Sequence, residues 1–346
     1  MGVTLLQIAR RSGVAVSTVS AALSPVCKKS ISEGKMNEIR NVAEKMGYRP
    51  NLSARRLRTG KTFNVGVVIP SFLEHHPIST YFDLVSMACA ERGYHAIPLV
   101  IEREYSKMPK QLGMLKDHHV DGLLFFDYTR QAYDQYLQFW QDNNNMVFRL
   151  LDPLLTNLPF QGVFVNHYGA GRILIEHVLS QGWTDLCFVS EIVNDQLWEK
   201  GYGRAWAEFS RQACSNGCSY NVIEYEKRSA IHRYKAIKNL IGSGGIKKGN
   251  TALILDGGDG SSGVYGALAE AGLVIGRDVA IASMNTLPKN EFVCPAMTVL
   301  SEPYKDIAVA MVEQLLRDIE GKPEESSSVK SFEPKLIPGL STCKLQ

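Results

Sequence analysis

Eight short apolar runs recur after residue 60, and no other feature of the chain narrows its possible folds as far. They are Val65 to Ile69, His95 to Val100, Gly122 to Phe126, Met146 to Phe148, Gly162 to Val165, Leu186 to Val189, Ala252 to Leu255 and Val279 to Ala282. Between them lie stretches long enough to hold helices. Runs that are apolar throughout, rather than at every second residue, belong to strands covered on both faces, which is the pattern of parallel sheets in α/β folds. Eight such strands in roughly 280 residues exceed what one ordinary sheet needs. The chain is also longer than a single hydrophobic core supports. Two doubly wound subdomains are therefore expected, with a ligand cleft at the strand ends.

The first fifty residues follow a different period. Thr4 can cap a helix with Leu5, Ile8 and Ala9 on one face, and Gly13 frees the chain to turn. From Val16 to Leu23 a second helix turns Val19, Ala22 and Leu23 inward and Val16, Ser17, Ser20 and Ala21 outward. Ala9, Gly13 and Val19 are spaced so that the two helices cross closely, as in a helix-turn-helix. Ser32 can cap a third helix carrying Ile39, Val42, Ala43 and Met46, which Gly47-Tyr48-Arg49-Pro50 closes. The basic segment from Asn51 to Gly60 is too short to hold a helix alone in water and is expected to order against a partner.

Charge separates these regions more sharply than the net value of +3 suggests. Residues 1–62 hold twelve Lys/Arg against three Glu, a local +9, which leaves −6 for the rest. A small basic module on a mildly acidic body is the footprint of a nucleic-acid binder with a separate sensing domain. The chain has no run of about 18 apolar residues and no secretory pattern at its start, so a membrane protein is not expected. Seven cysteines without framework spacing fit the reducing cytoplasm. Cys214 and Cys218 lack a second ligand pair, so no metal is expected.

In order and spacing, Val3-Thr4-Leu5 through Thr18-Val19-Ser20, Gly47-Tyr48-Arg49-Pro50-Asn51, Ala54-Arg55-Arg56-Leu57 and Val65-Gly66-Val67 resemble the lac repressor family of bacterial regulators. Weaker matches reach Pro334-Lys335-Leu336 and Ser341-Thr342. The resemblance implies a multidomain protein in which an all-α helix-turn-helix headpiece (1–50) and a hinge helix (51–62) precede an α/β body (63–346) like a periplasmic binding protein. It further implies late crossovers, dividing the body into subdomain 1 (about 63–158 and 291–325) and subdomain 2 (about 159–290 and 326–346). It implies a cytoplasmic, nucleoid-associated regulator without cofactor, a repressor whose sugar-like effector binds the interdomain cleft.

The implied contacts to double-stranded operator DNA are Thr4, Val16, Ser17, Thr18, Ser20 and Ala21, with Asn51, Ala54, Arg55 and Leu57 from the hinge. Leu57, between Arg56 and Arg58, has the setting of an apolar wedge that unstacks a base step in the minor groove. Ala21 stands where many members carry a guanine-reading arginine, so thymine methyls and DNA deformation should carry more of the readout. Because one headpiece offers few base contacts, a homodimer on a pseudo-palindromic operator is expected.

By the same resemblance the effector site comprises Ser71, His76, Trp198, Asp256 and Asn285. Trp198 replaces the arginine that commonly holds a sugar hydroxyl before the Gly201-Tyr202 pair. Asn285 replaces a sugar-binding aspartate. Two other functions fit the sequence less well. Gly258-Asp259-Gly260-Ser261-Ser262-Gly263 spells a dinucleotide-binding G-x-G-x-x-G, with Asp278 about twenty residues on, but it does not open a first βαβ unit and reads better as a glycine-rich turn. A secreted solute-binding protein conflicts with the basic headpiece. His75-His76, His118-His119 and Arg149 read as loop or strand-end residues, and no catalytic constellation stands out.

Overall fold

The computed structural model describes residues 3–23, 31–48, 59–70, 76–101, 108–117, 120–126, 146–150, 161–191, 217–226, 229–258, 260–285, 293–322 and 330–344. At the front, Thr4 starts α1 (Leu5–Ser12) with a reciprocal cap. The Gln7 amide donates to Thr4 Oγ1 (3.4 Å) and the Thr4 amide donates to Gln7 Oε1 (2.8 Å). Gly13 ends the helix at φ 63°, a left-handed conformation that glycine adopts without strain. Next come α2 (Val16–Ala22) and α3 (Glu33–Lys45). Ser32 occupies the N-cap of α3 as expected, but its side chain makes no capping bond; Glu33 is the first-turn acid that suits the helix's positive end. Ile8, Ala9, Val19, Ala22, Ile39 and Ala43 close one small core.

Two of the module's cations work inside it. Lys35 Nζ donates to the Ser12 carbonyl (3.0 Å) and Arg40 Nε to the Ala22 carbonyl (3.1 Å). Both satisfy carbonyls that the ends of α1 and α2 leave without helical partners.

The body begins with β1 (Asn64–Pro70), α4 (His76–Glu91), β2 (His95–Ile101), α5 (Met108–Asp117), β3 (Gly122–Phe125), β4 (Met146–Leu150) and β5 (Gln161–Val165). It continues through α6 (His167–Ser180), β6 (Asp185–Glu191), β7 (Ser219–Tyr225), α7 (Ala230–Gly242), β8 (Thr251–Leu255), α8 (Ser261–Glu270), β9 (Ala280–Ser283) and β10 (Thr298–Ser301). Last come α9 (Tyr304–Ile319), β11 (Lys330–Phe332) and β12 (Lys335–Ile337). Two six-stranded sheets result, ordered β11-β5-β4-β3-β1-β2 and β12-β10-β9-β8-β6-β7. Every pairing is parallel except β10 with β12.

All eight expected strands are present, and the second sheet shows why their sequences are apolar throughout. Leu186, Phe188, Ala252 and Ile254 face the core shared with α6, while Cys187, Val189, Leu253 and Leu255 face the core shared with α7 and α8. Successive residues of one strand thus enter different cores. The strands that the sequence did not announce are β7, β10, β11 and β12. β7 is an edge strand with Tyr220 and Val222 exposed, and the last two are only three residues long.

The expected subdomain boundaries need correction. β5, assigned by sequence to the second subdomain, pairs with β4 and β11 in the first sheet, and its Val163 and Val165 pack in the first core. β10, assigned to the first, pairs with β9 and β12 in the second. The chain therefore crosses after β5, between β10 and α9, and again between β11 and β12. α9 packs back on the first core through Ile307, Met311 and Leu315. No local pattern encodes such choices, because strand partners are set by which backbone edges remain open.

The C-terminal segment is pinned to the second subdomain. Trp183 Nε1 donates to the Thr342 carbonyl (2.8 Å), and Thr342 Oγ1 lies 2.6 Å from Thr298 Oγ1 and 3.0 Å from His177 Nε2. Ser341 Oγ donates to the Ile281 carbonyl while accepting from the Thr298 amide. Burial disfavours the charged imidazole and lowers the pKa of His177 below its usual value. Among the described residues, no helix is long and apolar enough to cross a membrane.

Candidate nucleic-acid interface and effector cleft

On the headpiece, the second helix divides only in part as expected. Val19 and Ala22 are buried, Val16 (38% exposed) and Ser17 face outward, and Thr18, Ser20 and Ala21 are half-buried along the helix flank. Thr4 is exposed, with its hydroxyl engaged in the helix cap. Arg10 and Arg11 are exposed in the last turn of α1, beside this surface in sequence and available for phosphates. A short apolar and hydroxyl-bearing helix face is suited to lie against thymine methyls and the sugar-phosphate backbone. Asn51, Ala54, Arg55 and Leu57 lie outside the described residues.

In each sheet the C-terminal ends of the parallel strands lie on one side. The second sheet presents Glu191 at the end of β6, Asp256 after β8, Asn285 after β9 and Glu302 after β10. His76, after β1, opens α4, and its side chain lies outside the described residues, as do Ser71 and Trp198.

Asp256 is not an exposed ligand. It is 3% exposed and ion-paired with Arg233, whose side chain is wholly buried. Its carboxylate also accepts from Tyr225 Oη (2.8 and 2.9 Å) and from the Glu191 amide (3.0 Å). Arg233 further donates to Tyr225 Oη (3.0 Å) and to the Gly257 carbonyl (2.7 Å). The expectation that Asp256 binds effector is thereby corrected: its lone pairs are spent inside the fold, where they hold the turn after β8. Arg233 was missed by sequence reasoning. Its signal was a cation on the same helical face as Ile237 and Leu240, where a charge is tolerated only with a buried partner.

Asn285, after β9 of the second sheet, meets the start of α9. Its Oδ1 accepts from Tyr304 Oη (2.9 Å), and Ser283 Oγ braces its backbone from both sides.

The glycine-rich stretch serves packing. Gly260 caps α8 at φ 74°, and a Cβ on Gly263 would collide with the Ala230 carbonyl at the start of α7. Asp278, the would-be ribose acid, precedes β9, whereas the glycines follow the parallel neighbour β8, so the two sit at opposite ends of the sheet. Its carboxylate is instead held by Arg277 (3.0 Å) and the Val274 amide (2.8 Å), which lower its pKa. No dinucleotide site is assembled from these residues.

Comparison with known proteins decides the family. Residues 4–51 match the family of bacterial regulatory proteins, lacI family, and residues 175–342 match the periplasmic binding protein-like domain. The chain belongs to the lacI family. The HTH-type transcriptional regulator PtxS of Pseudomonas putida is 27% identical over 320 residues, covering 92% of this chain and 90% of that protein. The ribose operon repressor of Escherichia coli is 23% identical over 329 residues, covering 91% and 93%. Among solved structures, the lac repressor dimer bound to operator and the anti-inducer ONPF superposes with a TM-score of 0.75 at 17% identity, covering 99% of both chains. The regulator CelR in complex with cellobiose gives 0.64 at 18%, covering 98% and 99%. At such identities the structures establish the shared fold.

As a lacI-family member the chain is a DNA-binding transcription regulator with an effector-binding domain, and not an enzyme. The expected architecture, a helix-turn-helix headpiece on a periplasmic-binding-protein-like α/β body, is the observed one.

Proposed function

We propose that this lacI-family regulator is a homodimeric repressor that binds a pseudo-palindromic operator and is switched by a sugar-like effector in the cleft between its subdomains. The observation that carries the DNA reading is the outward set Val16 and Ser17 on a helix whose other face is buried. In this reading Thr4, Val16, Ser17, Thr18, Ser20 and Ala21 meet the major groove, with Asn51, Ala54, Arg55 and Leu57 at the minor groove. The domains are a headpiece at 1–50, a hinge at 51–62 and a body at 63–346 with the corrected crossovers.

Dimerisation is supported by apolar residues on matching edges of both sheets. Met87 on α4, Val100 on the edge strand β2 and Met114 on α5 are exposed in the first subdomain, and Tyr220 and Val222 on the edge strand β7 and Ile231 on α7 in the second. A second copy covers such edges and blocks uncontrolled strand pairing.

Sugar-like chemistry is supported by relatives named for ribose and cellobiose. Ser71, His76, Trp198 and Asn285 form the proposed contacts, with Trp198 as a flat surface for a sugar ring. A thermal-shift screen of ribose, cellobiose, sugar acids, sugar phosphates and nucleosides tests this, because only a ligand of the folded state raises the melting temperature. A sugar that stabilises the parent and loses affinity in a folded Trp198→Ala variant supports the site. Binding unchanged by that substitution moves it elsewhere. For the DNA half, selection of binding sites from random duplexes should return a two-fold symmetric sequence whose affinity falls steeply with salt. An asymmetric site, or salt-insensitive binding, contradicts the dimer model.

A further inference from the structure

The middle crossover between the subdomains carries a reciprocal pair of hydrogen bonds. Glu302 follows β10 of the second sheet, yet its carboxylate accepts from Tyr81 Oη on α4, which packs in the first core. Tyr304 opens α9, which packs in that same first core, yet its hydroxyl donates to Asn285 Oδ1 (2.9 Å) at the end of β9 in the second sheet. Only Pro303 separates the two residues. Each is tied to the subdomain opposite the element it adjoins.

The ties are stiff. The rings of Tyr81 and Tyr304 meet edge-on at 5.1 Å, and Tyr81 also rests on Phe126 at 5.2 Å, so both phenols pack in one aromatic cluster. Tyr81 and Glu302 are buried, where a hydrogen bond is costly to leave unmade. The Asn285 amide donates to Ser283 Oγ (3.2 Å), which donates back to the Asn285 carbonyl (2.8 Å), fixing the backbone from which the acceptor projects.

We propose that Glu302 and Tyr304 are positioning residues that set the angle between the subdomains, and with it the width of the cleft. Rotation about the Pro303 linker carries each residue away from a partner that belongs to the opposite body, so a change of angle strains both ties together. The consequence for effector and operator binding rests on the function proposed above. The ties themselves do not, and they are testable without ligand.

The experiment uses the full chain without ligand and compares the parent with Tyr304→Phe, Asn285→Ala and both together. Solution X-ray scattering reads the angle, amide hydrogen exchange reads the crossover, and thermal melting reads stability. Tyr304→Phe keeps the ring contacts and removes one hydroxyl. Amides of residue 302 and residues 304–306 should then exchange roughly two- to tenfold faster, as expected for the loss of one net hydrogen bond. The scattering curve should shift, with little change in melting temperature. Asn285→Ala should do the same, and the double variant should go no further than either single, since all three lack the same bond. Tyr81→Phe, which cuts the other tie from α4, should reproduce the shift.

A lower melting temperature with scattering and crossover exchange superimposed on the parent would make these residues merely structural and overturn the proposal. So would single effects that add in the double variant. A shifted angle in a protein that selects no operator and binds no sugar would leave the ties standing and remove the proposed function instead.

Discussion

Replacing Arg233 with methionine should destabilise the body far more than its single charge suggests. The substitution keeps most of the side chain's volume but removes a guanidinium that is wholly buried and bonded to Asp256, Tyr225 and the Gly257 carbonyl. Solvent cannot screen what remains, a carboxylate in the interior without its counter-ion. Breaking a buried pair from one side costs about 3–5 kcal/mol. For a unit of this size each kcal/mol lowers the melting temperature by roughly 2–4 °C, so a fall of about 6–20 °C is expected. Urea unfolding, followed in parallel by tryptophan fluorescence and far-ultraviolet circular dichroism, measures the loss at fixed m-value. The discriminating companion is Arg233→Met with Asp256→Leu, which removes both charges. It should recover much of the stability, and the remaining deficit of about 1–3 kcal/mol reflects the Asp256 oxygens lost to the Glu191 amide and the Tyr225 hydroxyl. A single variant that loses less than about 1 kcal/mol, or a double variant as unstable as the single, would refute the claim that Asp256 is held as a compensated buried charge.

Three further outcomes are expected. Gly263→Ala must displace the Ala230 backbone at the start of α7 and should cost at least about 1–3 kcal/mol in the same unfolding assay; a neutral result would show that α7 and α8 separate freely. Because the pKa of His177 is lowered in the fold, the unfolded chain binds the extra proton first. Stability should therefore be level above the ordinary value of about 6.5 and fall as the pH drops below it, a slope that melting curves of His177→Gln should lack. Leu57→Ala should weaken operator binding roughly tenfold or more and reduce DNA bending while sparing non-specific binding, because the wedge no longer offsets the cost of unstacking. Gel mobility showing parental bending would remove Leu57 from that role.

Local sequence carried much of this architecture. Helices α1 to α3 were legible because N-cap residues, a turn glycine and apolar residues three and four apart act within a few residues of one another. The interior strands were legible because burial on both faces demands apolar side chains at every position, as in β8 and β9; β2, at a sheet edge, was legible because its sequence is apolar although it is partly exposed. β7 escaped notice because polar residues interrupt its apolar ones and nearly all of its side chains are exposed, and β11 and β12 because three residues are too few to show a period.

The site divides along the same line. The outward pair Val16 and Ser17 could be read from the sequence, since the helix that carries it also carries the buried face that orients it, whereas Ser20 and Ala21, read as outward too, are half-buried. Asp256 could be located but not interpreted. Its role depends on Arg233, which is distant in sequence and reaches it only when α7 packs beside β8. Likewise nothing local distinguishes β5 as a strand of the first sheet or links Tyr304 to Asn285. Periodicity within an element is a property of consecutive residues, so the sequence by itself determined which segments become helices and strands and which faces they bury. Which strand closes which sheet, which charges cancel, and which hydroxyl spans the two subdomains are decided by contacts between residues far apart in the chain, and only the tertiary structure brings those together.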